Sequence, residues 1–186
     1  MSTKSPAQLE PEQLLTSFPA IENPAARILI LGSMPGAASL RLQQYYAHPQ
    51  NAFWPIMESM FSTPDKLNLK TDYATRIQLL LDNGIALWDV LQHCFRPGSL
   101  DARIVRSSIV CNNFVAFLEQ HPLLTTIAFN GKTADQLFRK HVLKDLNLPA
   151  HVRLAALPSS SPAMATLNRD QKIARWKAAL ACDQSG

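Results

Sequence analysis

Residues 26–36 read ARILILGSMPG: four aliphatic residues in a row, Ile28 to Leu31, closed by a turn of Gly, Ser, Met, Pro and Gly. A run this short, apolar at every position and ended by turn residues reads as a β-strand buried on both faces, because a strand with one wet face would alternate. Three more runs of the same kind follow: GIALWDVL (84–91), LTTIAFNG (124–131) and HVRLAALPS (151–159). Between them lie segments with helical spacing, namely NAFWPIMESMF, TDYATRIQLLLDN, SSIVCNNFVAFLEQ and GKTADQLFRKHVLKDL. The last piece, NRDQKIARWKAALAC, repeats apolar residues at Ile173, Trp176, Ala179 and Leu180, as an amphipathic closing helix does. Strands alternating with helices predict an α/β protein: a three-layer α/β/α sandwich around a central four-stranded, mainly parallel sheet. In such sheets, sites form beyond the carboxyl ends of the strands.

Composition sets the bounds. With 186 residues, 47% of them hydrophobic, the chain suits one domain with a real core. The expected organisation is a loosely ordered Pro-rich arm over residues 1–25 and a single domain over 26–182. A formal charge of +4 and a pI near 9.1 suit an anionic partner. Cys94, Cys111 and Cys182 lie far apart, with no CxxC and no paired His spacing, so no disulfide framework, zinc site or iron–sulfur cluster is expected. No run approaches the roughly 18 apolar residues of a membrane span, and the N-terminus lacks the pattern of a secretory signal. The expectation is a cytoplasmic protein, nucleoid-associated if bacterial, monomeric and without metal or cofactor.

The strand ends deliver GSMPGAASL, LWDVLQHC, FNGKTA and LPSSSPAMA to one edge of the sheet, and a dense aromatic stretch, YYAHPQNAFWPIM (45–57), follows the first of them. GSMPG is a turn whose backbone N–H groups suit a phosphate, sugar or carbonyl oxygen; it reads equally as a tight strand-to-loop turn. The lysine of a Walker motif and the pattern GxGxxG are both missing. LPSSSPA offers small hydroxyls between prolines, suited to close approach of a sugar-phosphate backbone, although a ligand-free polar turn has the same look. A serine nucleophile has no GxSxG context. In the aromatic stretch, Phe53, Trp54, Ile56 and Met57 fit the apolar side of a helix for which Asn51 would be the N-cap. Asn51 and Phe53 read differently if the segment folds back over the strand ends, where an amide orients water and an aromatic face stacks on a base.

Three motifs taken together, GSMPG, YYAHPQNAFW and LPSSSPA, resemble the uracil-DNA glycosylase superfamily over about residues 26 to 176. LWDVL and the following Arg96, Gly98, Ser99 and Asp101 make the resemblance closest to the hypoxanthine-DNA glycosylase branch. The mismatch-specific branch carries a catalytic Asn in GINPG; here Met34 stands in that position, and a thioether neither positions nor activates water as an amide does. The resemblance to the hypoxanthine branch instead implies Asn51 as the catalytic residue. It implies Phe53 as the aromatic that stacks on the flipped base, with Ser33, Met34 and His48 also at the base. Asp89 would read a base edge or help orient water, with a salt bridge or loop cap as its plain alternative. Ser159, Ser160 and Ser161 would grip the phosphates beside the lesion, with Arg41, Lys132, Arg169 and Lys172 as further phosphate contacts.

The implied activity is that of a monofunctional DNA glycosylase. It would flip a deaminated base, hypoxanthine before uracil, out of double-stranded DNA and hydrolyse its N-glycosidic bond. The abasic product would pass to downstream repair enzymes. Two other readings stay open on the residues: a damaged-DNA-binding module of the same fold that does not cut, and a small-molecule serine hydrolase using the serine-rich loop.

Overall fold

The computed structural model describes residues 14–62, 72–98 and 100–180. Its strands are β1 (Leu14–Thr16), β2 (Ile28–Gly32), β3 (Ile85–Asp89), β4 (Leu91–Phe95), β5 (Val110–Cys111), β6 (Thr126–Asn130) and β7 (Arg153–Leu157). Its helices are α1 (Ala37–Leu42), α2 (Phe53–Phe61), α3 (Tyr73–Asp82), α4 (Phe114–Gln120), α5 (Lys132–His141) and α6 (Arg169–Leu180).

The four apolar runs form one sheet in the order β3-β2-β6-β7, with every neighbouring pair parallel. Both of its faces are covered, and the alternation of side chains along a strand divides the core accordingly. From β2, Ile28 and Ile30 point into one cluster and Leu29 and Leu31 into the other. The first cluster is closed by α2, α3 and α6 through Phe53, Ile56, Met57, Leu80, Trp176 and Leu180. The second is closed by α4 and α5 through Phe114, Phe117, Ala134 and Phe138, with Leu91 and Cys94 of β4. This is the expected three-layer architecture. The closing helix buries Trp176 and Leu180 as its spacing predicts, with Ile173 and Ala179 packed alongside.

Two expectations need correction. Residues 14–25 are not a loose arm. β1 pairs antiparallel with β4, placing Leu15 opposite Cys94, and β4 continues to β5 to make a second, three-stranded sheet. Ile21 then exchanges backbone hydrogen bonds with Leu87 (2.9 and 2.8 Å), and Glu22 meets the buried His121 at 2.8 Å. A three-residue strand has no periodicity to read, and its partner lies nearly eighty positions away, so local pattern does not reveal it. Residues 1–13 and Cys182 lie outside the described residues. Helix α4, in turn, is shorter than SSIVCNNFVAFLEQ suggests. Val110 and Cys111 are drawn into β5, and the helix starts only after Asn113, whose Oδ1 accepts the Ala116 N–H at 3.1 Å as an N-cap.

Trp176 joins the closing helix to the sheet and to the serine-rich loop. Its ring is fully buried and meets Phe53 edge-on at 6.0 Å between centroids, while its Nε1–H donates to the Pro158 carbonyl at 2.8 Å. Trp176→Ala is expected to cost about 3–5 kcal/mol of stability. Trp176→Phe, which keeps an aromatic body but loses the hydrogen bond, should cost markedly less. Urea unfolding of the two variants beside the wild type measures this difference.

Candidate active site

Gly32, Asp89, Asn130 and Leu157 end the four parallel strands side by side, with Gly32 in register with Asp89 and Asn130 with Leu157. Beyond them opens a cleft of about 1270 Å³, lined by the GSMPG turn, Tyr46, His48, Asn51 and residues 156–164. A smaller cavity of about 350 Å³ lies past Asp101 against Arg106 and Lys140, away from the strand ends. The large cleft occupies the place that parallel α/β topology reserves for ligands.

Gly32 is the tightest point of its floor. A Cβ there would collide with the Asp89 carboxylate and stand 2.9 Å from the Tyr46 hydroxyl, so only glycine leaves room for both groups at the strand end. Asp89 is 3% exposed, and its Oδ2 accepts the Ser17 hydroxyl at 2.7 Å. Burial raises its pKa to about 7, Asp101 adds to the rise, and the Ser17 hydrogen bond and Arg96 oppose it. A carboxyl in this state supplies either two acceptors or one donor and one acceptor near neutral pH. Ser17 belongs to the segment expected to be a loose arm, so nothing local in the sequence links it to this site.

The structure sets the expected aromatic behind the cleft. Phe53 is fully buried in the core and does not line the cleft. Tyr46 does line it, with its ring stacked on Phe53 at 4.1 Å between centroids and 24° between planes. Phe53 is thus the wall behind Tyr46. Tyr46 holds φ at +52°, a left-handed conformation uncommon for a bulky residue and costly by about 1–3 kcal/mol. Its hydroxyl is enclosed, with Asp89 and Asn130 nearby and no hydrogen bond in geometry to either. Burial, then the Asp89 charge, hold its pKa far above the usual tyrosine range. The Tyr45–Tyr46 pair signals this placement only weakly, because Tyr45 is a core residue that accepts the Trp54 indole N–H on its carbonyl at 3.0 Å.

Asn51 sits half-buried on the cleft wall, and its Oδ1 accepts the Phe53 N–H at 2.9 Å. This hydrogen bond at the start of α2 fixes which end of the amide is oxygen and leaves Nδ2 and the second Oδ1 lone pair for the cleft. Helix-start bonding and a place on the cleft wall therefore coexist in one side chain. The adjacent Ala52 N–H donates to the Ser160 carbonyl at 2.9 Å, tying this turn to the serine-rich loop. His48 is exposed at the rim, where its Nδ1 accepts the Gln50 N–H at 3.2 Å.

The serine loop divides by burial. Ser160 is fully enclosed: its N–H donates to Asn130 Oδ1 at 2.7 Å and its Oγ accepts from Asn130 Nδ2 at 2.8 Å. These two hydrogen bonds and its full burial make Ser160 a brace for the loop and not an exposed phosphate contact. Ser159 and Ser161 are half-buried, each with Oγ accepting a backbone N–H two residues on. Their hydroxyl protons remain free to donate into the cleft. Lys172, expected at a phosphate, is buried and donates from Nζ to the Ser161 carbonyl at 3.0 Å, with its pKa lowered by desolvation. Arg41, Lys132 and Arg175 line the cleft instead, and Arg169 does not.

Ser33 and Met34 form the opposite wall. Met34 is 6% exposed, and Ser33 Oγ donates to Asp101 Oδ2 at 2.6 Å. Behind this turn lies the buried Arg96, which sequence reasoning leaves without a role. The signal available for it is an arginine directly after a short strand, LQHCF, and before a Pro-Gly turn. Among the described residues, no group of three or more His, Cys, Asp or Glu side chains converges as a metal site would.

Comparison with known proteins accords with this geometry. A family model described as "Uracil DNA glycosylase superfamily" matches residues 19–183. A protein of Methanosarcina acetivorans named hypoxanthine DNA glycosylase is 35% identical over 162 residues, covering 87% of this chain and 94% of the relative. A protein of the same name from Methanosarcina barkeri is 36% identical over 119 residues, covering 64% of this chain and 72% of the relative. The solution NMR structure of a Methanosarcina acetivorans protein bearing the uracil DNA glycosylase name superposes with a TM-score of 0.69. That pair is 32% identical, with 89% of this chain and 96% of the other covered.

The raised pKa of Asp89 has a measurable signature. Its folded-state value, about 7, lies above the unfolded value, so the folded chain binds the proton more tightly. Stability should therefore fall as pH rises from about 4 to about 7 and level off beyond. Asp89→Asn should flatten that part of the profile. Denaturant unfolding of both proteins across this pH window checks the slope.

Proposed function

The chain belongs to the uracil DNA glycosylase superfamily and is a DNA glycosylase, and on that premise we propose that it excises hypoxanthine from double-stranded DNA as a monofunctional enzyme, with uracil as a possible second base. The observation that carries the reading is the convergence of an oriented amide, a buried carboxyl and an aromatic face on one cleft at the strand ends. The curated relatives that share the hypoxanthine DNA glycosylase name support the choice of base.

Excision begins with a base outside the helix. Flipping costs a few kcal/mol, and less where the base is mispaired. In this reading the Tyr46 ring, backed by Phe53, is the surface on which the flipped base stacks. Hypoxanthine presents a carbonyl beside a ring N–H, and a neutral Asp89 carboxyl offers the matching donor and acceptor. Met34 borders the space and limits the size of base admitted.

Cleavage of the C1′–N9 bond leaves the bonding pair on the base, so negative charge grows there while the sugar gains oxocarbenium character. Fixed N–H donors of the GSMPG turn stabilise the departing base. Asn51 orients a water through Oδ1 and Nδ2; the water oxygen bonds to C1′ and its proton passes ultimately to solvent or the freed base. An amide is a weak base, which suffices because a dissociative path asks little of the nucleophile. Ser159, Ser161, Arg41, Lys132 and Arg175 serve as phosphate contacts. The products are free hypoxanthine and an abasic site, which an abasic-site-processing activity must consume. The serine-hydrolase alternative draws no support from geometry, because the described hydrogen bonds of Ser159, Ser160 and Ser161 include none to a histidine.

Purified protein on labelled duplexes carrying one deoxyinosine, one deoxyuridine or one G·T mismatch should give alkali-dependent breaks foremost at inosine. Asn51→Ala should lower the single-turnover rate by about 10²-fold or more while binding persists. Tyr46→Ala should weaken specific binding by about 1–3 kcal/mol, the range for base–aromatic stacking. Binding without breaks at any duplex would mark a non-cutting module.

A further inference from the structure

We propose that Arg96 is a positioning residue for excision: its buried guanidinium draws the carbonyls of Met34 and Pro35 backward, so that the Gly36 amide faces the cleft where the leaving base gains charge. The inference rests on the glycosylase reading and extends it to a residue outside the cleft.

The argument follows carbonyl directions through the turn. The Gly32 carbonyl accepts the Val90 N–H at 2.9 Å and the Ser33 carbonyl accepts the Leu91 N–H at 3.1 Å. The Met34 carbonyl then accepts from Arg96 Nη1 at 3.3 Å, and the Pro35 carbonyl accepts from Arg96 Nη2. Four successive carbonyls thus point to the same side, toward the chain that runs from Val90 to Arg96. No peptide among the described residues is cis, and in a trans peptide the C=O and N–H are antiparallel. The amides sharing those peptide units therefore point the other way, except at Pro35, which has none. Space beside Gly36 is open, with nothing within 4 Å of where a Cβ would stand.

Only an arginine fits this task. Its planar fork reaches four acceptors at once: the Met34 and Pro35 carbonyls, the Gly98 carbonyl from Nε at 3.3 Å, and Asp101 Oδ1 at 3.3 Å. A lysine has three donors on one atom and does not span them. The side chain is 1% exposed, and a buried charge of this kind is costly unless paired. Asp101 is the counter-charge, and its other oxygen accepts the Ser33 hydroxyl at 2.6 Å, so one carboxylate anchors both the arginine and the start of the turn. The arrangement leaves a fixed positive group behind donors aimed at developing negative charge, where preorganised dipoles contribute most.

The test uses single-turnover excision from an inosine duplex, with duplex affinity measured separately by fluorescence anisotropy at fixed salt. Arg96→Lys and Arg96→Ala are expected to lose about 10²–10³-fold in rate, the range for removing a charge-stabilising donor, with affinity little changed. Millimolar guanidinium should restore part of the Arg96→Ala rate and leave wild type unaffected, which a general loss of fold would not reproduce. A second measurement needs no variant: in wild type bound to an abasic duplex with free hypoxanthine, the amide proton of Gly36 should shift downfield in NMR spectra. An active wild type with Arg96→Lys excising at its rate, or with the Gly36 amide unmoved, overturns this inference alone. A wild type that leaves inosine intact overturns the glycosylase reading and this inference together.

Discussion

Strand β2 is buried at all five positions, between two parallel neighbours and under a helical layer on each face. That single constraint organises the molecule. A strand with no wet face carries no polar side chain along its length, so polar chemistry collects at its end. There the backbone turns through GSMPG and the adjacent strands finish with Asp89 and Asn130. The same double burial explains why Gly32 closes the strand: the two groups that crowd the cleft floor need the volume a side chain would occupy.

The cleft stands on four segments distant in sequence, and most bonds that assemble it run between a side chain and a backbone group. Asn130 holds the N–H and hydroxyl oxygen of Ser160, Ala52 donates to the Ser160 carbonyl, Lys172 caps Ser161, and Trp176 caps Pro158. The serine-rich loop is thereby fixed from the sheet below, from α2 beside it and from α6 behind it. Arg96 and Asp101 do the same for the opposite wall. Rigid walls of this kind suit a reaction in which the protein contributes placement and electrostatics and the chemistry itself is simple.

Tyr46 shows how strain is placed. Its left-handed backbone is unfavourable for a tyrosine, and the stacking on Phe53 together with the packing around Gly32 holds it there. The result is an aromatic face at the cleft whose position is set by a fully buried residue behind it. Asp89 is handled similarly: burial keeps its carboxyl near the balance point of its two protonation states, and Ser17, reaching in from the N-terminal strand, fixes its orientation.

By itself the sequence determined the four buried strands, their alternation with helices, the layered architecture and the edge at which polar residues gather. Those features follow from periodicity and from turn residues, which act over a few positions. It also marked Asn51, Asp89, Ser159 and Ser161, each a polar residue at or just past a strand end or just before a helix start. Tertiary structure alone placed Tyr46 on the cleft and Phe53 behind it, turned Ser160 and Lys172 inward, drew residues 14–25 into the fold and set Arg96 behind the GSMPG turn. The physical reason is the same in each case. Which way a loop side chain faces depends on partners tens of residues away, and pairing energies between distant segments leave no local period to read.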